Sequence, residues 1–207
     1  MIIIGAVMAG GKSVRFGKAK AFAEFDGAPF YKKAVDALTP HVEKVVLSIR
    51  HEQENAFSNS DLELIKDLDP YVNCGPLGGL YALMKQTDGD AYLVLPCDLP
   101  LFTEKASSKL FQQFEEGVMA VIPEVDGMLQ PLSALYLIGC LPYIEKQLQQ
   151  GDYRMMGFLN EIPWKAVTYQ ELDVPKDIFL NVNDQKTYEA FIQKYAHSGK
   201  EGESGAD

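Results

Sequence analysis

An apolar run from Met1 to Met8 leads straight into Ala9-Gly10-Gly11, and this junction constrains the fold more than any other stretch of the chain. A continuous apolar run of that length, closed by glycine, reads as a buried strand of a parallel sheet. The glycines tolerate backbone angles that side chains forbid, and they let an anion approach the main-chain amides. Lys12, Arg15, Lys18 and Lys20 follow within nine residues, and no Asp or Glu occurs before Glu24. The 207-residue chain carries 29 acidic side chains and a net charge of -10, so the loop is a local cationic island. A cationic, glycine-rich loop at a strand end is a candidate polyphosphate cradle. The plainer alternative is a tight turn with solvated lysines.

Two familiar phosphate loops are excluded by spacing. A Walker A loop needs four residues between its glycine and Gly-Lys-Ser, whereas five separate Gly5 from Gly11-Lys12-Ser13. No G-x-G-x-x-G occurs, so a dinucleotide fingerprint is also absent.

The length suits one α/β domain over residues 1–195, followed by a tail, 196–207, whose Gly, Ser and charge content predicts disorder. A strongly acidic surface repels nucleic acid and anionic membranes at long range, so neither is expected as a partner. The opening run is short and lacks a basic flank, which favours a core strand over a signal peptide. No stretch approaches the roughly 18 consecutive apolar residues of a membrane helix. Cys74, Cys97 and Cys140 are odd in number and lack C-x-x-C spacing, which predicts reduced thiols in the cytoplasm and no zinc site. His41, His51 and His197 fall in predicted loops or helix ends, so histidine catalysis is not expected.

Beyond the loop, the chain alternates strand and helix. Asp26-Gly27 marks a turn, and Phe30 to Leu38 reads as a helix with Phe30, Ala34, Ala37 and Leu38 inward. Val45 to Ile49 and Leu62 to Ile65 read as strands, with a polar, mobile connection at 51–60. Leu77, Leu80, Tyr81 and Met84 give the next helix an apolar stripe, and Ala91 to Pro96 is the strongest central strand. Thr103 to Glu116 is a helix, Val118 to Pro123 a strand, and Gln130 to Tyr136 a further strand after a turn at Asp126-Gly127. Ile138 to Gln149 and the stretch opening at Gly151 read as helices. The pattern predicts a three-layer, doubly wound, mostly parallel α/β sheet with ligands at the carboxyl ends of its strands.

Polar residues at those ends are the candidate site. Asp67 and Asp69 follow the third strand, and Asn73-Cys74-Gly75-Pro76-Leu77 opens a helix beside it. Asp98 closes the central strand between Pro96 and Pro100, where it either holds a hard cation or caps the segment from Thr103. Asn181 and Asn183 alternate along a predicted short strand and so point the same way, while Asn183 or Asp184 is the N-cap of the helix through Tyr195. From the residues alone, Gln130 is a polar residue opening a strand and Arg154 a solvated arginine at a helix start.

The block Met8-Ala9-Gly10-Gly11-x-Ser13-x-Arg15-Phe16-Gly17-x-x-Lys20-Ala21 closely resembles the signature loop of nucleotidyltransferases, and most of all the molybdenum cofactor guanylyltransferase (MobA) family. Gly75-Pro76-Leu77-x-Gly79, Cys97-Asp98-x-Pro100 and Asn181-x-Asn183 resemble later blocks of the family in the same order, over roughly residues 1–195. One departure is Ala19, where many members have Asp. The resemblance implies a Rossmann-like nucleotidyltransferase fold, with Mg²⁺ as cofactor on Asp98. It implies nucleotide contacts from Met8, Ala9, Gly10, Gly11, Lys12, Ser13, Gly75, Pro76 and Leu77, and from Asp67, or Asp69 if the alignment slips by two. Lys12 and Arg15 would hold the triphosphate and Lys20 would offset charge near the α-phosphate. Gln130 would face the acceptor, Arg154 would suit an acceptor phosphate, and Asn181 and Asn183 would close the site. The implied reaction is GMP transfer from GTP to molybdenum-bound molybdopterin, with transient contacts to molybdenum-insertion proteins and apo-molybdoenzymes. Transfer of another nucleotide, such as from CTP, or to a sugar or polyol phosphate would use the same loop and metal. A non-catalytic GTP-binding protein of cofactor delivery is the alternative of a different class.

Overall fold

The computed structural model describes residues 1–11 and 20–195. The order of elements is β1 (Ile3–Met8), β2 (Glu24–Phe25), β3 (Ala28–Pro29), α1 (Phe30–Leu38), β4 (Lys44–Ile49), β5 (Glu63–Lys66), α2 (Gly75–Gln86), β6 (Ala91–Pro96), α3 (Glu104–Gln112), β7 (Ala120–Val125), β8 (Met128–Leu129), β9 (Leu135–Leu137), α4 (Leu141–Gln149), α5 (Met155–Leu159), β10 (Trp164–Thr168) and α6 (Gln185–Tyr195). One sheet runs in the order β10-β7-β9-β6-β1-β4-β5, with β8 paired to β7 and β2-β3 forming a separate hairpin. The β5-β4-β1-β6 half is parallel throughout, and β9 is antiparallel to both β6 and β7.

Alternation along the strands divides the core in two, because successive side chains of a strand face opposite ways. Val7, Leu47, Ile49, Leu93 and Leu95 pack with Ala34, Leu38, Ala106 and Leu110 of α1 and α3. Ile4, Ala6, Val46, Tyr92 and Val94 pack on the other face with α2, α4 and α5. Both faces are covered, which explains why β1 and β6 read as unbroken apolar runs. Inward residues of α1 are Phe30, Ala34, Ala37 and Leu38, as its spacing predicts. Ser107, wholly buried on α3, donates to the Ala37 carbonyl at 2.7 Å and ties the two helices together.

Five segments differ from the sequence-based expectation, the first being β10, a strand beside β7 that the sequence pattern does not single out. The polar connection after β4 is a 3₁₀ helix, His51–Phe57, because Phe57 is buried at 2 % exposure against Phe22 and Tyr31. α2 is buried from Leu77 to Met84 rather than along one stripe, because it lies between the sheet and α4. Gln130 to Ser133 is a turn, and the strand begins only at Leu135. Residues 180–183 form no strand; the Val182 amide instead bonds to the Asp98 carbonyl at 3.0 Å. The predicted tail at 196–207 lies outside the described residues. Among the described residues no helix is long and apolar enough to cross a membrane.

From β1 the chain moves to β4 and β5 on one side, then crosses through α2 to β6 on the other. This reversal leaves a crevice at the carboxyl ends of the strands, where open α/β sheets bind ligands. The 3₁₀ helix holds one wall of that crevice through Phe57. Phe57→Ala is expected to lower unfolding free energy by about 3–5 kcal/mol in denaturant titration, the range for emptying a buried aromatic site. A loss below about 1 kcal/mol would show that the segment does not depend on this anchor.

Candidate active site

A cavity of about 430 Å³ occupies the crevice, within the size range of small-molecule sites. The carboxyl ends of four strands line it: Met8 to Gly11 after β1, Ser48 to Arg50 on β4, Asp67 after β5, and Pro96 to Asp98 on β6. Asn73, Gly75, Pro76 and Gly79 close it from α2, and Leu132 from the turn before β9. A side chain at Gly79 would bring a Cβ within 2.8 Å of Met8 and 3.3 Å of the Ser48 hydroxyl, so glycine there lets α2 approach the floor.

Strand register sets the order of groups across this floor. Met8 pairs with Pro96 and with Ser48, and Ile49 pairs with Lys66. Counting onward along the same registers puts Asp98, Gly10, Arg50 and Asp67 in one row over β6, β1, β4 and β5. At roughly 4.8 Å between neighbouring strands, the row spans about 14 Å. The Arg50 stem lies 3.5 Å from where a Gly10 Cβ would stand, as that row requires. Gln53 fastens the middle of the row: its Oε1 accepts from the Arg50 amide at 2.9 Å, and its Nε2 donates to the Ala9 carbonyl at 3.1 Å.

At the β6 end, Asp98 is 7 % exposed. Its Oδ2 accepts from the Lys20 ammonium at 2.6 Å, and its Oδ1 is sealed with no hydrogen-bond partner among the described residues. Lys20 also donates to Asn183 Oδ1 at 2.8 Å. One ammonium therefore joins the 3₁₀ turn at Lys20–Phe22, the end of β6 and the chain before α6. Asp98 does not cap α3; Thr103 does, accepting from the Ala106 amide at 3.3 Å. Asp184, not Asn183, caps α6 by accepting from the Thr187 amide at 2.8 Å. Burial, reinforced by the neighbouring Asp98 charge, pushes the Cys97 thiol up to about 12.

At the β5 end, Asp67 Oδ2 accepts from the Asn73 amide at 2.8 Å. Asp69 is exposed and outside the cavity, so of the two only Asp67 lines it. Leu77 is wholly buried beneath α2 rather than on the cavity wall. Gln130 bonds within its own turn, to the Met128 carbonyl at 3.2 Å, and does not line the cavity. Arg154 is 80 % exposed and folds back on Asp152 at 2.7 and 2.8 Å. Its guanidinium draws the Asp152 carboxyl down to about 2. Asn181 is exposed and also outside the cavity. Lys12, Ser13 and Arg15 lie outside the described residues.

Sequence reasoning missed Ser48, Ile49, Arg50 and Leu132, and placed Asn73 and Gly79 in the right stretch without giving them a role. Arg50 carried a usable signal, as the first cation after the second strand of a doubly wound sheet.

Among the described residues no group of three or more His, Cys, Asp or Glu could cage a metal. Asp98 fits a cation of another kind, because Mg²⁺ is usually held by one or two carboxylates together with substrate phosphates. Its sealed, unpartnered oxygen is the hard donor that such a site requires.

Comparison with known proteins agrees with this fold. The sequence profile described as the MobA-like NTP transferase domain matches residues 5–167. A Bacillus subtilis protein named "Probable molybdenum cofactor guanylyltransferase" is 33% identical over 192 residues, covering 92% of this chain and 95% of its own. A Halalkalibacterium halodurans protein of the same name is 36% identical over 162 residues, covering 77% of this chain and 81% of its own. Among solved structures, molybdopterin-guanine dinucleotide biosynthesis protein A from Archaeoglobus fulgidus superposes with a TM-score of 0.79 at 22% identity, covering 93% of this chain and 98% of that one. A 4-diphosphocytidyl-2C-methyl-D-erythritol synthase from Anaerococcus prevotii shares the fold at a TM-score of 0.66 and 13% identity, over 93% and 98% of the two chains. The matched profile spans most of the sheet and the whole crevice, and on that ground the chain belongs to the MobA-like NTP transferase family and is a nucleotidyltransferase.

Proposed function

We propose that this enzyme transfers GMP from GTP to the phosphate of molybdenum-bound molybdopterin and releases pyrophosphate, making the guanine dinucleotide form of the molybdenum cofactor. The observation that carries the reading is the Asp98–Lys20–Asn183 cluster at one end of a nucleotide-sized cavity, in a chain of this family. The names of the Bacillus subtilis and Halalkalibacterium halodurans relatives support the choice of nucleotide and pathway.

The acceptor phosphate is already anionic, so its oxygen attacks the α-phosphorus without a general base. A phosphorus–oxygen bond forms to the acceptor as the bond to the bridging β-oxygen breaks, and pyrophosphate leaves with that electron pair. The protein's task is alignment and charge neutralisation. Asp98 would hold Mg²⁺, which when bound neutralises phosphate charge and polarises the α-phosphorus. Lys20 supplies a fixed positive charge beside the same phosphates, held in place through Asn183. Gly10 and Gly11 leave the main chain open to them, and Lys12, Ser13 and Arg15 are assigned to the triphosphate. Arg154 and Gln130, outside the cavity, are assigned to the acceptor, and the same assignment puts Asn181 with Asn183 at the closing edge. Burial and the neighbouring Asp98 charge push the Cys97 thiol up to about 12, away from the thiolate form that a covalent route would need.

Pyrophosphate release from GTP and Mg²⁺ is expected only when molybdenum-loaded molybdopterin is present, with CTP inactive. Release with CTP instead overturns the substrate, and GTP binding without release under any acceptor overturns the enzyme reading. Asp98→Asn and Lys20→Met are each expected to lower turnover by about 10²–10³, the loss typical of one preorganised charge. Turnover within a few-fold of wild type, in a variant with an unchanged unfolding midpoint, would contradict the assignment. Cys97→Ala is expected to keep turnover within a few-fold, and its abolition in a folded variant would restore a covalent route.

A further inference from the structure

Neither oxygen of Asp98 is ready to take a divalent cation. Oδ2 carries the Lys20 ammonium at 2.6 Å, and Oδ1 is sealed, with no hydrogen-bond partner among the described residues. The Asp98 and Lys20 side chains are only 10% and 15% exposed, although both residues line the cavity. The same ammonium donates to Asn183 Oδ1 at 2.8 Å, an acceptor without charge.

Charge decides what this arrangement does with a cation. The single negative charge of Asp98 is matched by the single positive charge of Lys20. A divalent cation approaching the pair therefore meets no net attraction. It also meets an ammonium in contact with the carboxylate, in a setting where buried charges are screened far less than at the surface. Among the described residues no cluster of three or more His, Cys, Asp or Glu is there to outweigh that repulsion. The cation needs added negative charge, and a nucleoside triphosphate brings it. Phosphate oxygens offer the ammonium a charged acceptor in place of Oδ2, and offer the cation further hard ligands beside the carboxylate. Burial makes this an exchange and not a loosening. Removing one partner of a buried pair leaves an uncompensated charge, so the pair holds until another charge takes over. The bond to Asn183 is left to keep the ammonium beside the phosphates.

We infer that Lys20 guards Asp98, keeping a divalent cation from the carboxylate until nucleotide phosphates draw the ammonium away. Cation and nucleotide then each tighten the binding of the other, by the same factor. This inference rests on the nucleotidyl-transfer reading above and adds to it the residue that couples the two ligands.

Titration of Mn²⁺ at pH 8 without nucleotide, followed by its electron paramagnetic resonance signal, tests it. Wild type, Lys20→Met, Lys20→Gln and the double variant Lys20→Met with Asp98→Asn are compared. Both single variants are expected to bind one Mn²⁺ about tenfold or more tighter than wild type, because a repelling charge is gone and a buried carboxylate is left unmatched. The added Asp98→Asn is expected to abolish that gain. A variant that gains cation affinity while losing turnover marks a guard and not a damaged site. Lys20→Gln decides the matter should Lys20→Met fail to fold. Unchanged or weaker Mn²⁺ binding in the single variants overturns the inference, and so does a gain that survives Asp98→Asn. A second titration, of GTP into folded wild type with and without Mn²⁺, keeps the two readings apart. Binding about tenfold or more tighter with Mn²⁺ is expected, and equal binding overturns the coupling. Failure of folded wild type to bind GTP under either condition would instead strike the nucleotidyl-transfer reading itself, and the role of Lys20 with it.

Discussion

The Lys20–Asp98 ion pair is the interaction on which the site depends. Both side chains are at least 85% removed from water, where desolvation offsets much of the attraction between opposite charges. Such a pair is weak ground for stability, and hydrophobic residues would pack the same space at least as well. Its value lies in what it holds together. Lys20 comes from the 3₁₀ turn at Lys20–Phe22, Asp98 from the end of the central strand, and Asn183 from the segment before α6. The Val182 amide on the Asp98 carbonyl fixes that last segment to the strand end. A cation and a hard oxygen donor are thereby preorganised at one end of the cavity.

The sheet supplies the rest of the arrangement. Because β1 has β4 on one side and β6 on the other, residues far apart in sequence fall into one row at the carboxyl edge. Gly10 lies in the middle of that row without a side chain, with a carboxylate to one side and a guanidinium to the other. The floor is therefore open at its centre and polar at both ends, which suits an elongated ligand charged at one end and hydrogen-bonding at the other.

Much of this was legible in the sequence, for identifiable reasons. β1 and β6 are continuous apolar runs because both sheet faces are covered, and α1 shows its four inward residues at helical spacing. Asp98 stood out because two prolines frame it at a strand end. Arg50 did not, since its importance follows from β4 lying beside β1, a matter of topology rather than local pattern. The segment 180–183 looked like a strand from its alternating asparagines, yet its amide pairing goes to the Asp98 carbonyl and its Val182 into a small satellite core with Phe30 and Phe191. Arg154, legible as a solvated arginine at a helix start or, by resemblance, as suited to an acceptor phosphate, is exposed at the start of α5 and pairs with the Asp152 carboxylate two residues away. The stretch from Gln130 reads as a strand in the sequence, whereas Pro131 and the turn that follows delay pairing until Leu135.

The central claim of the proposed function is that the nucleotide's phosphates and a divalent cation meet at Asp98 and Lys20, at one end of the cavity. The most direct measurement is a crystal structure with a non-hydrolysable GTP analogue and Mn²⁺, located by its anomalous scattering. The account predicts a single Mn²⁺ bound by the Asp98 carboxylate and the analogue's phosphates, with Lys20 beside them. A metal away from Asp98, or phosphates at the far end of the cavity, would contradict it.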